Sequence, residues 1–117
     1  MQSARTQQWQ GMNWIRPEKR LAIYLRDNFT CVYCGNHATE TKMSLDHIVP
    51  DNAGGDNSAS NLITSCLSCN CKRGDTNIFD FVSSLQSPAF SLDTIFLHLA
   101  MPLEINLAKQ MLATRKQ

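Results

Sequence analysis

The sequence predicts a small α+β fold: strand, loop, strand, helix, with further helices packed around that unit. Three observations carry this reading. Two Cys-x-x-Cys pairs, Cys31/Cys34 and Cys66/Cys69, bracket the centre of the chain. Between them, two short apolar runs at 43–48 and 61–64 enclose a stretch rich in Gly, Asn and Ser. Short β-prone runs separated by turn-forming residues read as paired strands. From residue 77 onward the apolar residues recur at helical spacing.

Taken in order, residues 1–15 are polar with two tryptophans, Trp9 and Trp14. They are expected to form an arm whose end, Trp14 and Ile15, packs back on the body. Pro17 suits the first turn of a helix. Leu21, Ala22, Tyr24 and Leu25 continue it, and Arg16, Lys19, Arg20 and Arg26 lie among them, read as a solvated face with a surface for a nucleic-acid backbone as the alternative. Asp27-Asn28 ends this helix. Residues 29–33 read as a short strand entering the first cysteine pair, and Gly35 allows the positive φ of a tight knuckle. The run 43–48 is a strand with Leu45 inward, ended by Val49-Pro50. The run 61–64 is its antiparallel partner. A short helix from Cys66 stops at Gly74. Asn77 caps a further helix with Ile78, Phe81, Val82 and Leu85 on one face. Another begins near Leu92 with Ile95, Phe96 and Leu99 inward, and Pro102 breaks it. The last runs over 103–114 with Leu107, Met111 and Leu112 apolar.

With 117 residues, 43% of them apolar, the chain is enough for one domain with a modest core. A core of that size gains from a metal staple. We therefore expect a single domain over 1–117, with an arm at 1–15, a metal-bound core at 16–75 and a helical cover at 76–117. No apolar run is long enough for a membrane span, and the first residues lack the apolar segment of a secretory signal. A cytoplasmic location follows as the expectation, and with it reduced thiols. The formal net charge is +1. Four zinc-bound thiolates would bring it to about −1. Bulk charge therefore does not announce a nucleic-acid partner.

Two CxxC pairs in a reduced chain favour metal over disulfide. Four thiolates are the soft tetrahedral set that Zn²⁺ prefers, and such a closed site leaves no position for chemistry. Cys31, Cys34, Cys66 and Cys69 are thus the expected structural zinc ligands. Cys71 is left over and reads as a small helical side chain. The segment the knuckles tie together contains Asp46-His47, a carboxylate beside an imidazole at the end of an apolar run. Histidine accepts a proton near neutrality, and carboxylate or amide oxygens suit Mg²⁺ or Mn²⁺. Adjacent strand residues face opposite ways, so the strand must twist or end there for both to reach one phosphate.

The series Cys31-x2-Cys34, Leu45-Asp46-His47-Ile48-Val49-Pro50, Gly54-Gly55, Asn61-Leu62 and Cys66-x2-Cys69-Asn70 resembles the HNH endonucleases. It is similar to the restriction-type branch with a four-cysteine zinc and Asn at the third signature position. The resemblance covers about 14–75. It implies a ββα-metal finger that hydrolyses DNA phosphodiester bonds, leaving 5′-phosphate and 3′-hydroxyl ends. It further implies His47 as general base and Asp46 and Asn70 as ligands of one catalytic divalent ion, Mg²⁺ or Mn²⁺ or else Ni²⁺. Asn61 would brace the loop. Arg73 stands where the family often carries Lys; with Lys72 it is expected to contact DNA phosphate, Arg73 in a forked way and with a catalytic share. Cys71 occupies a position more often polar or basic. His37 and His98 are not assigned to the site. The DNA substrate would be nicked by a monomer or cut on both strands by a homodimer, with a protein partner for targeting and no membrane. The alternative is a catalytically inactive zinc-stabilised module that binds nucleic acid or protein. A disulfide-stapled secreted domain is the third reading.

Overall fold

The computed structural model describes residues 14–50 and 53–115; the expected arm at 1–13 lies outside the described residues. Helix α1 spans Pro17–Arg26. Strand β1, Met43–His47, pairs antiparallel with β2, Leu62–Cys66, in a register that sets Asp46 opposite Ile63 and His47 opposite Leu62. A single 3₁₀ turn, Ala59–Asn61, leads into β2. Helix α2, Leu67–Arg73, follows β2 with no intervening residue. Helices α3 (Ile78–Ser84), α4 (Leu92–Ala100) and α5 (Ile105–Arg115) complete the chain. This is the expected mixed fold, a two-stranded sheet followed directly by a helix, with five helices among the described residues.

Local chemistry accounts for the boundaries. Pro17 opens α1. Past Asp27 the backbone turns left-handed at Asn28 and Phe29 (φ +58° and +54°), which stops the helix. Asn77 Oδ1 accepts the Asp80 N–H at 2.8 Å, and Ser91 Oγ accepts the Thr94 N–H at 3.1 Å, capping α3 and α4. Gly74, at φ +49°, ends α2. The expected strand at 29–33 is absent: Thr30 makes one isolated bridge to His37, and the knuckle turns too soon for a ladder.

Every residue of β2 is buried, yet among the described residues only β1 pairs with it as a strand. Its other edge is satisfied from α1 and the knuckle. The Thr64 N–H donates to Asp27 Oδ2 (2.9 Å), the Val32 N–H donates to the Thr64 carbonyl (3.2 Å), and Arg26 Nη2 donates to the Leu62 carbonyl (2.6 Å). Arg26 Nε and Nη2 also fork onto the Asp27 carboxylate, and His98 of α4 meets the same carboxylate at 2.9 Å. Burial works against the charged Asp27, but the Arg26 hydrogen bond and charge, His98 and the Thr64 N–H together hold its carboxyl below the usual range. The expectation of Arg26 on a solvated face is thus corrected: it is buried, because its partners lie across the sheet edge.

One core cluster joins Cys31, Val32 and Tyr33 to Ile63, Ile78, Phe81, Val82, Ile95 and Leu99. A second joins Ile15, Ile23, Leu45 and Leu62, with Trp14 against it. Leu21 and Ala22 pack on Ala108, seating α5 on α1. Phe96 departs from the inward placement that spacing suggested; it is exposed and meets Phe79 across α3 and α4.

Candidate metal centre and catalytic cleft

The four cysteine sulfurs lie within 4.8 Å of one another. A tetrahedral zinc with sulfur at about 2.3 Å needs sulfurs about 3.8 Å apart, and Cys34 and Cys66 stand at 3.8 Å. Each pair curls the same way. Cys31 Sγ accepts the Cys34 N–H and Cys66 Sγ accepts the Cys69 N–H. Gly35, at φ +84°, completes the first knuckle. Burial and neighbouring cysteines push the Cys69 thiol up. Burial also opposes charge on Cys31, but backbone N–H groups hold its thiol below the usual range. All five cysteines carry free sulfurs, and Cys71 is exposed. The donor set therefore fits a structural zinc.

Asp46 and Ser44 share the face of β1 that looks onto α2. Asn70 Nδ2 donates to Ser44 Oγ (3.0 Å) and to the Leu45 carbonyl (3.2 Å). Those acceptors fix the amide, so its oxygen turns away from the strand. Asp46 Oδ2 accepts from Tyr33 Oη (2.6 Å) and from Arg73 Nη1 (2.8 Å). Among the described residues neither Asp46 Oδ1 nor Asn70 Oδ1 takes a hydrogen bond, and Trp14 Nε1 is the one sealed side-chain polar atom without a partner. The protein's own described contacts thus leave both oxygens over. Two hard oxygens beside one strand end fit a divalent ion such as Mg²⁺ or Mn²⁺.

Arg73 corrects an expectation. It is 3% exposed. Nε donates to the Thr76 carbonyl, Nη1 to Asp46 and the His47 carbonyl, and Nη2 to the Ile48 carbonyl, each at 2.8–2.9 Å. Burial works against its charge, but Asp46 outweighs this and raises its pKa. Four of its N–H groups go to protein acceptors, so it clamps the end of β1 and is buried where an exposed phosphate contact was expected. Lys72 is exposed at the end of α2. Tyr33, edge-on to Phe81 at 4.9 Å, completes this buried triad; burial and the Asp46 charge push its phenol well up.

His47 ends β1 and looks to the other side. Its Nε2 lies 2.8 Å from Asn57 Oδ1, and its ring lies 5.0 Å from that of Trp14. The structure thus brings Asp46 and Asn70 to the α2 side, and seats the His47 ring against the loop before β2. Asn61 ties that loop down. Its Oδ1 accepts the Val49 N–H, and its Nδ2 donates to the Val49 and Asp56 carbonyls, at 2.8–2.9 Å. Gly55 lies so close that an added Cβ would meet the Val49 carbonyl oxygen at 1.6 Å. Trp14 and Asn57 were not foreseen as neighbours of His47. An Asn inside a polar loop and a Trp far upstream carry no local signal of that meeting.

A two-stranded hairpin, a helix starting inside a four-cysteine cluster and oxygen donors at the strand end define a ββα-metal finger. Residues 31–82 match the family model described as HNH endonuclease. The same region is similar to the CRISPR-associated endonuclease Cas9 of Corynebacterium diphtheriae, with 40% identity over 52 residues. That match covers 44% of this chain and 5% of the relative. No solved structure matches the chain. Among the described residues no helix is long and apolar enough to cross a membrane.

Proposed function

We propose that this chain is a metal-dependent endodeoxyribonuclease in which sulfur supplies shape and oxygen supplies chemistry. The carrying observation is the pair of Oδ1 atoms on Asp46 and Asn70, left without a hydrogen bond among the described residues, in a segment that matches the HNH endonuclease model. In this reading Cys31, Cys34, Cys66 and Cys69 hold a structural Zn²⁺, and Asp46 and Asn70 hold a catalytic Mg²⁺ or Mn²⁺, with Ni²⁺ as a substitute. The catalytic ion, when bound, neutralises charge on the scissile phosphate. The chain's own groups do the rest. His47 takes the proton of the attacking water. Tyr33 and Arg73 hold the Asp46 carboxylate by one oxygen and leave the other for the ion. Asn61 keeps the loop behind His47 in place. Lys72 contacts the DNA backbone. The core at 16–75 works as one unit with the cover at 76–117. Oligomeric state, and with it nicking against double-strand cutting, goes with this proposal, as does a targeting partner.

The test is supercoiled plasmid incubated with Mg²⁺, Mn²⁺, Ni²⁺ or no divalent ion, comparing wild type with His47→Ala and Asn70→Ala. Metal-dependent cutting lost in both variants supports the reading. Cutting that needs no added ion, or that survives His47→Ala, sinks it. DNA binding without any cutting favours the inactive binding module instead.

A further inference from the structure

We infer that the outer face of α3 and α4 is a docking surface for a basic amphipathic helix of a partner protein. Four large apolar side chains stand out on these helices. Phe79 is 56% exposed, Phe96 40%, Leu97 66% and Met101, the cap of α4, 44%. They are grouped. The Phe79 and Phe96 rings lie 5.9 Å apart, and Leu97 and Met101 are one helical turn apart. Single exposed apolar residues are ordinary, but a group of them marks an interaction site. The inward side of the same two helices is already used, since Ile78, Phe81, Val82, Ile95 and Leu99 lie in the core.

Charge identifies the occupant. All 11 Lys and Arg residues of the chain lie outside residues 74–108. That span carries Asp75, Asp80, Asp93 and Glu104, each exposed. Asp80 directly follows Phe79. Asp93 stands three and four positions before Phe96 and Leu97, so on the helix surface it borders both. An apolar strip beside carboxylates, on helices with no Lys or Arg, is complementary to an apolar strip beside cations. The same carboxylates repel nucleic acid and anionic lipid. A second copy meeting this face through a two-fold axis would set Asp80 and Asp93 against their own kind. A helix with apolar side chains at i, i+3, i+4 and i+7 and Lys or Arg beside them meets both demands. The surface draws on none of the groups assigned to the cleft.

The test uses the intact zinc-loaded chain and a synthetic helix-forming peptide of about five turns, with Leu at i, i+3, i+4 and i+7 and Lys elsewhere. A scrambled peptide of the same composition and one with Glu in place of Lys are the controls. Fluorescence anisotropy measures binding, and nitrogen-15 amide shifts locate it. The Lys peptide is expected to bind, to shift amides of 78–84 and 92–101, and to exceed both controls by about tenfold or more. Phe79→Ser and Phe96→Ser are each expected to weaken it about tenfold, the loss typical of an aromatic anchor. Asp93→Asn is expected to weaken it a few-fold and to flatten its salt dependence. A Lys peptide that does not bind overturns the inference. So does binding that both Phe variants retain, or that the scrambled peptide equals. If one Phe variant does not fold by circular dichroism, the other and Leu97→Ser decide. A wild-type dimer in sedimentation that Phe96→Ser abolishes assigns the face to a second copy. Binding to phosphatidylglycerol vesicles that Phe96→Ser abolishes assigns it to a membrane. Either result also overturns the inference.

Discussion

Arg73→Ala is the substitution that most directly separates a clamp from a DNA contact. The guanidinium makes four hydrogen bonds to protein acceptors, one of them an ion pair with a buried carboxylate at 2.8 Å. Removing it leaves Asp46 with Tyr33 alone and strips the carbonyls of His47 and Ile48 of their donors. Breaking a buried pair from one side costs about 3–5 kcal/mol, because the remaining charge is uncompensated. A domain of this kind has roughly 5–15 kcal/mol in all. At about 4 °C per kcal/mol for a chain of this length, the melting temperature should fall by ~12–20 °C. Thermal unfolding followed by circular dichroism in zinc-containing buffer measures this. The added check is Asp46→Asn on the Arg73→Ala background. Once the guanidinium is gone, neutralising the carboxylate should cost little or restore stability, so the double variant lies well above the sum of the two single losses. An Arg73→Ala melt within about 1 kcal/mol of wild type, accompanied by weaker DNA binding, would refute the argument. It would mean that the side chain faces solvent and phosphate after all.

Three other outcomes follow from the same contacts. Cys66→Ser, or stripping metal with a strong chelator, should unfold or aggregate the protein, because Cys66 is at once a sulfur of the cluster and the cap of α2; circular dichroism before and after adding Zn²⁺ reads it. Gly55→Ala should destabilise by about 1–3 kcal/mol, since its Cβ would collide with the Val49 carbonyl, and urea midpoints measure the loss. Asp27 has its folded pKa depressed, so its stabilisation is present above the unfolded value of about 4 and is lost as pH falls through the lower folded one. Asp27→Asn should therefore be clearly less stable than wild type at pH ~7, with the gap closing below pH ~4; equal urea midpoints at neutral pH would contradict the buried Arg26–Asp27–His98 network.

What could be read from the sequence was whatever is decided within a few residues. Asn77 and Gly74 begin and end helices through contacts three or four positions away, and the two cysteine pairs announce their partner by chemistry alone. Burial of charge was not legible. Arg26 and Arg73 look like any other basic residue on a helix until the sheet edge that takes up their donors is in place. The same holds for His98, which reaches Asp27 across 71 positions of chain. Helical spacing put Phe96 inside, but α4 buries Ile95 and Leu99 and leaves Phe96 and Leu97 exposed. The loop residue Asn57 gave no sign of its tie to both Trp14 and His47, because that meeting exists only after α1 has docked beside the hairpin.

Cys69 and Asn70 are neighbours on the first turns of α2, and that helix leaves β2 without a linker. Nothing soft lies between the sulfur cage and the amide oxygen. An oxidant or a competing thiophile that disturbs the cage should therefore blunt the cleft at once, as a loosened hinge pin misaligns the jaw it carries.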